Sequence, residues 1–550
     1  MKSFLLFAAC CGVAAAAPAP ALFEHFEYTG ADSRFAAPLA PGEYRNPILA
    51  GFHPDPSICR VGEDYYLANS SFCYFPGIPI FHSRDLVHWD LIGHVITRRA
   101  QADFQGLGIS RGVFAPDLSF HDGTYYVITT LADCGGNCIF TARDPAGPWS
   151  DPHGLRPVDG IDPSLFFEGG RIWLVNNGPP PGNRPLYDGH RAIWLRELDP
   201  STLQPIGPVT LLVNGGTDLA RRPVWIEGPH LFKRAGWYYL ICAEGGTAER
   251  HSEVVFRSRS LGGPWTVGPG NPILTQRDLP ADRPEPVTCT GHAEFVDTPA
   301  GDSWAVFLGC RPYADNFYNT GRETFLLPVS WKGGWPRILE PGASVPAMAP
   351  SPRLPLFAAR IPMTGNFTWR DDFAGPELDP SWNFLRTPYE TWWSLSAVPG
   401  ALALRPQAAG LESLANPSFV GRRVEHARFE ASVVLRRKPD AGVAAGLAVF
   451  QNETHSFFLG VRRHEGGDEV FLERNGGAPR AEVVATASLP EGGRIALRIA
   501  GNGGAYAFAY AVSPGDWKIL REKEDGTLLS TARAGGFVGA YVGPFARLGP

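Results

Sequence analysis

Three acidic residues stand in similar settings along the 550-residue chain: Asp55 in "HPDPSI", Asp162 in "GIDPSLF" and Glu227 in "IEGPHLF". Carboxyl groups held close together can divide acid and base work between them. In glycoside hydrolysis one protonated carboxyl gives its proton to the leaving oxygen, and a second, ionised one activates water or attacks the sugar. A third acid can orient the proton donor and tune its pKa. On residue type, Asp55, clamped between Pro54 and Pro56, suits a fixed base. Glu227, one methylene longer, suits a donor reaching toward a leaving oxygen. Asp162 repeats the Asp55 setting and is the candidate modulator. A single Asp before a strand is ordinarily a turn residue, so the case for a site rests on recurrence.

The setting recurs five times: "PDPSICRVGEDYYLANS", "APDLSFHDGTYYVITT", "IDPSLFFEGGRIWLVNN", "IEGPHLFKRAGWYYLICA" and "GHAEFVDTPAGDSWAVFLG". Each copy is a polar residue, a short strand, a turn and a second strand rich in aromatics. The leading polar residues are Asp55, Asp117, Asp162, Glu227 and His292. Their spacing leaves room for about four short strands per unit, the size of a propeller blade. Five blades are expected between about Asn46 and Ile338, with the first strand of each lining a central channel. The leading residues would then converge on the axis, where like-charge repulsion and burial raise carboxyl pKa values. A core built for stability alone would not gather four acids there; Asp117 is left without a catalytic role.

Composition agrees with an all-β protein. The 63 glycines and 52 prolines favour many turns, no segment shows sustained helical periodicity, and runs such as "YYVITT" are aromatic and β-branched. The length calls for two large domains. After a Pro- and Ala-rich linker (343–366), segments from 367 to 550 such as "ARFEASVVLRR" alternate apolar and polar residues, as in a β-sandwich. The propeller is expected over 40–342. Net charge is −6 with both signs dispersed, which excludes the basic stripe a nucleic-acid partner needs. Residues 1–17 read as a secretory signal: one Lys, then an apolar run too short to span a bilayer. A secreted chain without a membrane anchor is expected. "CGGNC" (134–138) could close a small disulfide loop, and Asn69, Asn366 and Asn452 lie in glycosylation sequons.

The ordered motifs "NPILAGFHPDPSICRVGEDYYL", "GVFAPDLSFHDGTYYV", "GIDPSLFF", "IEGPHLF" and "TGHAEF" resemble the blade motifs of glycoside hydrolase family 43, in its β-xylosidase and α-L-arabinofuranosidase branch. The resemblance implies a five-bladed β-propeller followed by a concanavalin/laminin-G-like sandwich. It implies an inverting exo-hydrolase that releases terminal xylose or arabinose from xylan or arabinoxylan oligosaccharides. Asp55 would be the base, Asp162 the pKa modulator and Glu227 the acid. By the same resemblance Arg311 in "LGCRPY" lies near the base and a sugar hydroxyl, Phe72 forms an aromatic wall, and Phe537 in "AGGFVGAYVG" reaches the pocket from the sandwich. Phe114 stands where the family often has Trp. No cofactor is implied as required, although His292 matches a histidine sometimes linked to a bound ion, here calcium, or to water. The chain stops soon after "YVGPFARLGP", where relatives usually continue into a final strand, which implies either an open sheet edge or a truncated gene model. The competing readings are a retaining fructan or sucrose hydrolase, whose motifs are not matched, and a non-catalytic sugar-binding propeller.

Overall fold

The computed structural model describes residues 18–464 and 466–549, so the expected leader lies outside the described residues. The chain is nearly all β, with five antiparallel sheets set around one axis. Blade 1 comprises Ser57–Val61, Asp64–Ala68, Gly77–Ser83 and Asp90–Ile96; blade 2, Asp117–His121, Thr124–Ala132, Gly136–Ala142 and His153–Gly154. Blade 3 comprises Ile161–Glu168, Arg171–Gly178, Ala192–Leu198 and Pro205–Asn214; blade 4, Glu227–Arg234, Trp237–Glu244, Ser252–Ser258 and Thr266–Val267. Blade 5 comprises Thr288–Asp297, Ser303–Cys310, Glu323–Lys332 and Trp335–Arg337. The first strands of blades 5 and 1 adjoin and close the ring. The two-stranded sheet of Glu43–Arg45 and Met348–Pro350 clasps its ends together.

Side chains on the first strands stack along the axis in two layers. The upper layer holds Asp55, Ala115, Asp162, Glu227 and His292, all lining one cavity. The lower layer holds Ser57, Asp117, Ser164, His230 and Glu294. Asp117 is therefore not the blade 2 counterpart of Asp55. Ala115, two residues earlier, occupies that place, and "APDLS" matches "PDPS" only after a shift of two. The lower layer is a closed bonding network. His230 Nδ1 lies 3.3 Å from Asp117 and 3.4 Å from Glu294. Glu294 accepts from Ser57 Oγ at 2.6 Å and from the Ile58 amide at 2.8 Å. Asp117 accepts from the Leu165 amide at 3.1 Å, and Ser164 donates to the Pro229 carbonyl at 2.5 Å. All five blades are tied at this level.

The second domain packs two eight-stranded sheets face to face. Two segments outside the sandwich region recognised in the sequence complete it. Ala21–Gly30 is an inner strand of one sheet, paired with Arg428–Leu435 on one side and with Leu402–Leu404 and Thr368–Asp371 on the other. Tyr74–Phe75, in the blade 1 loop that follows Phe72, pairs with Asn383–Leu385 at the end of the other sheet. Tyr541–Leu548 lies between Val443–Asn452 and Ser418–Arg423, so the last strand is an inner one and the expected open edge is not found there. One hydrophobic cluster runs from the sandwich core through Phe52, Phe72 and Tyr74 into blades 1 and 2.

The seven described cysteines are free thiols, so "CGGNC" closes no loop; Cys138 sits within the Gly136–Ala142 strand, opposite Thr129. Asn69 is fully buried, donating to the Pro54 carbonyl at 2.9 Å and to Thr324 at 3.1 Å, and cannot present its amide for glycosylation.

Burial lowers the pKa of His230, but Glu294 and Asp117 outweigh it and push it up to about 9. A folded pKa above the unfolded value of roughly 6.5 stabilises fully below that pH, and the contribution is lost as pH rises through about 9. The thermal midpoint is expected to fall between roughly pH 6.5 and 9. His230→Gln should lower the midpoint near pH 6 and flatten that fall; an unchanged pH slope in calorimetry would count against the axial network.

Candidate active site

In each blade the loop joining the second and third strands, and the segment leading into the next blade, meet at the end where the first strands begin. The cavity there measures about 410 Å³. Its floor is the upper axial layer and its walls are Phe72, Arg111, Phe114, Trp225, Thr247, Arg322 and Phe537. The local backbone aims the floor residues inward. Asp55, Asp162 and His292 have φ near +50°, a left-handed conformation uncommon outside glycine that persists where surrounding structure enforces it. The first strands of blades 3, 4 and 5 each carry a register shift at this point. Such a bulge turns a side chain from the sheet face toward the axis. Gly228 has φ +53°, and a Cβ there would lie 2.9 Å from the His292 ring. The glycine of "IEGPH" is therefore required both by its backbone and by its neighbour.

The three acids are buried but electrostatically unlike. Burial alone would raise the Asp55 carboxyl; Arg322, His292 and Ser70 outweigh it and hold it below the usual value. Arg322 donates to one Asp55 oxygen at 2.7 Å and Ser70 to the other at 2.5 Å. Glu227 is pushed well above the usual range by burial and then by the charges of Asp162 and Asp55. Asp162 rises to about 7, from burial and from Asp55, against a 3.2 Å hydrogen bond donated by the Gly228 amide. Near neutral pH the arrangement thus holds one fixed carboxylate and one protonated carboxyl on different blades, the pairing that acid and base catalysis of glycosyl transfer to water requires.

Arg311 is not part of this cavity. It is buried, with Nε and Nη2 on the two oxygens of Glu323 at 2.6 and 2.8 Å, Nη1 on Asp32 at 3.2 Å, and Nη2 also on the Glu425 carbonyl at 3.0 Å. It joins the N-terminal segment, blade 5 and the sandwich. The arginine beside Asp55 is Arg322, at the far end of the same blade 5 loop. The sequence offers two arginines flanking one loop, and the choice is made by Asp32, which lies 279 residues from Arg311. Arg111, Trp225 and Thr247 were also missed. They lie on connecting segments with no repeating signature, although Trp225 stands two residues before Glu227.

Phe72, Phe114 and Phe537 all line the cavity, each ring within 6.3 Å of the other two, and Phe72 stacks on Phe537 at 5.8 Å. The sandwich holds its contribution at both ends. The Phe537 amide donates to Ser110 Oγ at 3.0 Å. Gly539 sits so close to Gly321, beside Arg322, that a Cβ on Gly321 would lie 2.8 Å from the Gly539 backbone. Glu453 accepts from the Ile109 amide at 2.8 Å and pairs with Arg386, which also donates to the Leu107 carbonyl at 2.6 Å. The segment that carries Arg111 and Phe114 is thereby anchored to the second domain.

His292 is pushed down to about 3 by burial. Its donor surroundings suit calcium poorly, since that ion takes oxygen ligands. The Asp55 oxygens nearby already accept from Arg322 and Ser70. The grouping with metal-ligand proximity among the described residues is Asp117, His230 and Glu294 in the lower layer, whose polar atoms are engaged in the axial network.

Comparison with known proteins agrees with this architecture. Residues 44–336 match the model for glycosyl hydrolases family 43, and residues 370–548 match the β-xylosidase C-terminal concanavalin A-like domain. A xylosidase/arabinosidase of Butyrivibrio fibrisolvens is 38% identical, covering 91% of this chain and 95% of that protein. A non-reducing end α-L-arabinofuranosidase of Bacteroides ovatus is 34% identical, covering 92% of each. A crystal structure of a GH43_12 protein from a capybara gut metagenome superimposes with a TM-score of 0.88 at 39% identity, over 96% of this chain and 100% of that one. The chain is a glycoside hydrolase and belongs to family 43.

Proposed function

We propose that the protein is a secreted, inverting exo-glycosidase that releases terminal xylose or arabinose from xylan-derived oligosaccharides. Asp55 is the base, Glu227 the acid and Asp162 the group that keeps Glu227 protonated. The observation that carries this reading is the division of charge: Arg322 and Ser70 hold Asp55 ionised, while burial beside two other acids keeps the Glu227 proton on. In the reaction Asp55 takes a proton from water as the water oxygen bonds to the anomeric carbon. Glu227 gives its proton to the leaving oxygen as the glycosidic bond breaks, and the anomeric configuration inverts. The terminal sugar rests among Phe72, Phe114 and Phe537, over the gap left by Ala115. A wall supplied by the second domain favours chain ends over internal linkages. The pentose assignment draws on relatives named for xylosidase and arabinosidase activity.

Proton NMR of the first product formed should show the inverted anomer; initial retention of configuration would overturn the assignment of Asp55 as base. Asp55→Asn and Glu227→Gln should each lower kcat by about 10²- to 10⁴-fold without loss of fold. These amide variants are preferred to alanine, because emptying position 55 leaves Arg322 buried without its partner, at a cost of about 3–5 kcal/mol.

The two limbs of the pH–rate profile should report these charges. Arg322→Met removes the cation that holds Asp55 down and also lowers Glu227, so both limbs should shift to higher pH. Asp162→Asn removes a negative charge that raises Glu227, so the alkaline limb should shift to lower pH. A shift of either limb in the opposite direction would exchange the roles or remove them.

A further inference from the structure

We propose that Trp225 is the platform on which the leaving sugar ring rests, and that Arg191 fixes its indole from behind. This rests on the assignment of Glu227 as the proton donor. Trp225 lines the cavity from the segment joining blades 3 and 4. In a ring of five blades that junction lies across the axis from blade 1, which carries Asp55 and Phe72. The three phenylalanines form one cluster on the blade 1 side, where Arg322 lies over Phe72 and Phe537. The ring partner of Trp225 among the described residues is instead Arg191, whose guanidinium carbon lies 4.1 Å from the indole centroid.

With water activated on the Asp55 side, the bond that breaks points away from Asp55 and toward Glu227. The leaving group therefore departs along the wall that Trp225 provides, two residues upstream of the acid. The indole is half-buried, one face against Arg191 and the ring bordering the cavity. It offers a rigid apolar surface to the C–H face of a sugar at little entropic cost.

The supporting structure is built for position. Trp225 has φ +51°, and its amide donates to the Gly189 carbonyl at 2.9 Å. A Cβ on Gly189 would lie 2.9 Å from Val224 and 3.3 Å from the indole. On the other side the Gly245 amide donates to the Val224 carbonyl at 2.8 Å. A strained backbone persists only where the surrounding structure enforces it, and such positions cluster at active sites and ligand clamps. Arg191 also acts on the acid, since its charge opposes the upward push on the Glu227 carboxyl. The ligand class implied is a glycosyl leaving group with a flat apolar face, in preference to a small alcohol.

The test compares two substrates with the same terminal pentose, one with a pentose as leaving group and one with methanol, on wild type, Trp225→Ala, Trp225→Phe and Arg191→Met. For Trp225→Ala the loss in kcat/KM on the disaccharide should exceed the loss on the methyl glycoside by tenfold or more, mainly through KM. Trp225→Phe should recover most of that excess, and Arg191→Met should show part of it. Equal losses on both substrates would reduce Trp225 to a structural wall and overturn the proposal. If wild type cleaves neither substrate, the pentose assignment fails, and the platform is judged by binding alone. Titrating Glu227→Gln enzyme with the disaccharide should change tryptophan emission, and adding Trp225→Phe should remove most of that change; emission changes that match with and without Trp225 would overturn it.

Discussion

One imidazole shared between two carboxylates organises this propeller. His230 stands between Asp117 and Glu294 at the axis, and the remaining oxygens of those acids accept hydrogen bonds that originate in blades 1, 2 and 3. Among the described residues no blade sheet runs into the next, so side-chain bonds at the axis and apolar packing between blades hold the ring together with the Glu43–Arg45 and Met348–Pro350 clasp. Buried charges are costly unless paired and hydrogen-bonded, and here each is both. The arrangement sets the height and spacing of the first strands, and with them the positions of every residue in the layer above.

That upper layer uses the same ingredients for the opposite purpose. Its acids are left short of countercharge: Arg322 hydrogen-bonds to Asp55, and its charge only partly offsets the burial and mutual repulsion that raise Asp162 and Glu227. The place in blade 2 that could have held a fourth acid holds Ala115, which keeps the repulsion within bounds and leaves room for a ligand. Stability is thus concentrated one layer beneath the chemistry, and the left-handed backbone at Asp55, Asp162 and His292 is sustained by the rigid network below it.

The sandwich contributes to the cavity as well as to the fold. Its Phe537 segment fits against blade 5 only because Gly321 and Gly539 meet backbone to backbone. Arg311, Asp32, Glu323 and Glu425 form a buried junction of three chain regions. With the N-terminal strand threaded into the sandwich sheet and the Tyr74–Phe75 strand reaching into the other, the domains share core and site alike. The walls on opposite sides of the cavity differ accordingly: phenylalanines braced by the second domain near the base, and an indole braced by an arginine near the acid.

Much of this was legible in the sequence because it repeats. Recurrence of a polar residue before a strand, an aromatic hairpin and a length suited to four strands specifies blades, and a shared motif identifies Asp55, Asp162 and Glu227 as neighbours without any contact being known. The same signal misplaced Asp117 by one layer, because a register shift of two residues keeps a side chain on the same face and looks alike in the sequence. Arg311 and Arg322 could not be told apart, since what separates them is Asp32, a partner remote in the chain. Trp225 and Arg191 lie on connecting loops that carry no period. Local pattern, which is set by backbone geometry and the alternation of side chains, determined the strands, the blades and the acids; the layer each residue occupies, the partner of each arginine and the walls of the cavity were decided only when distant segments packed, because those depend on contacts that no local pattern encodes.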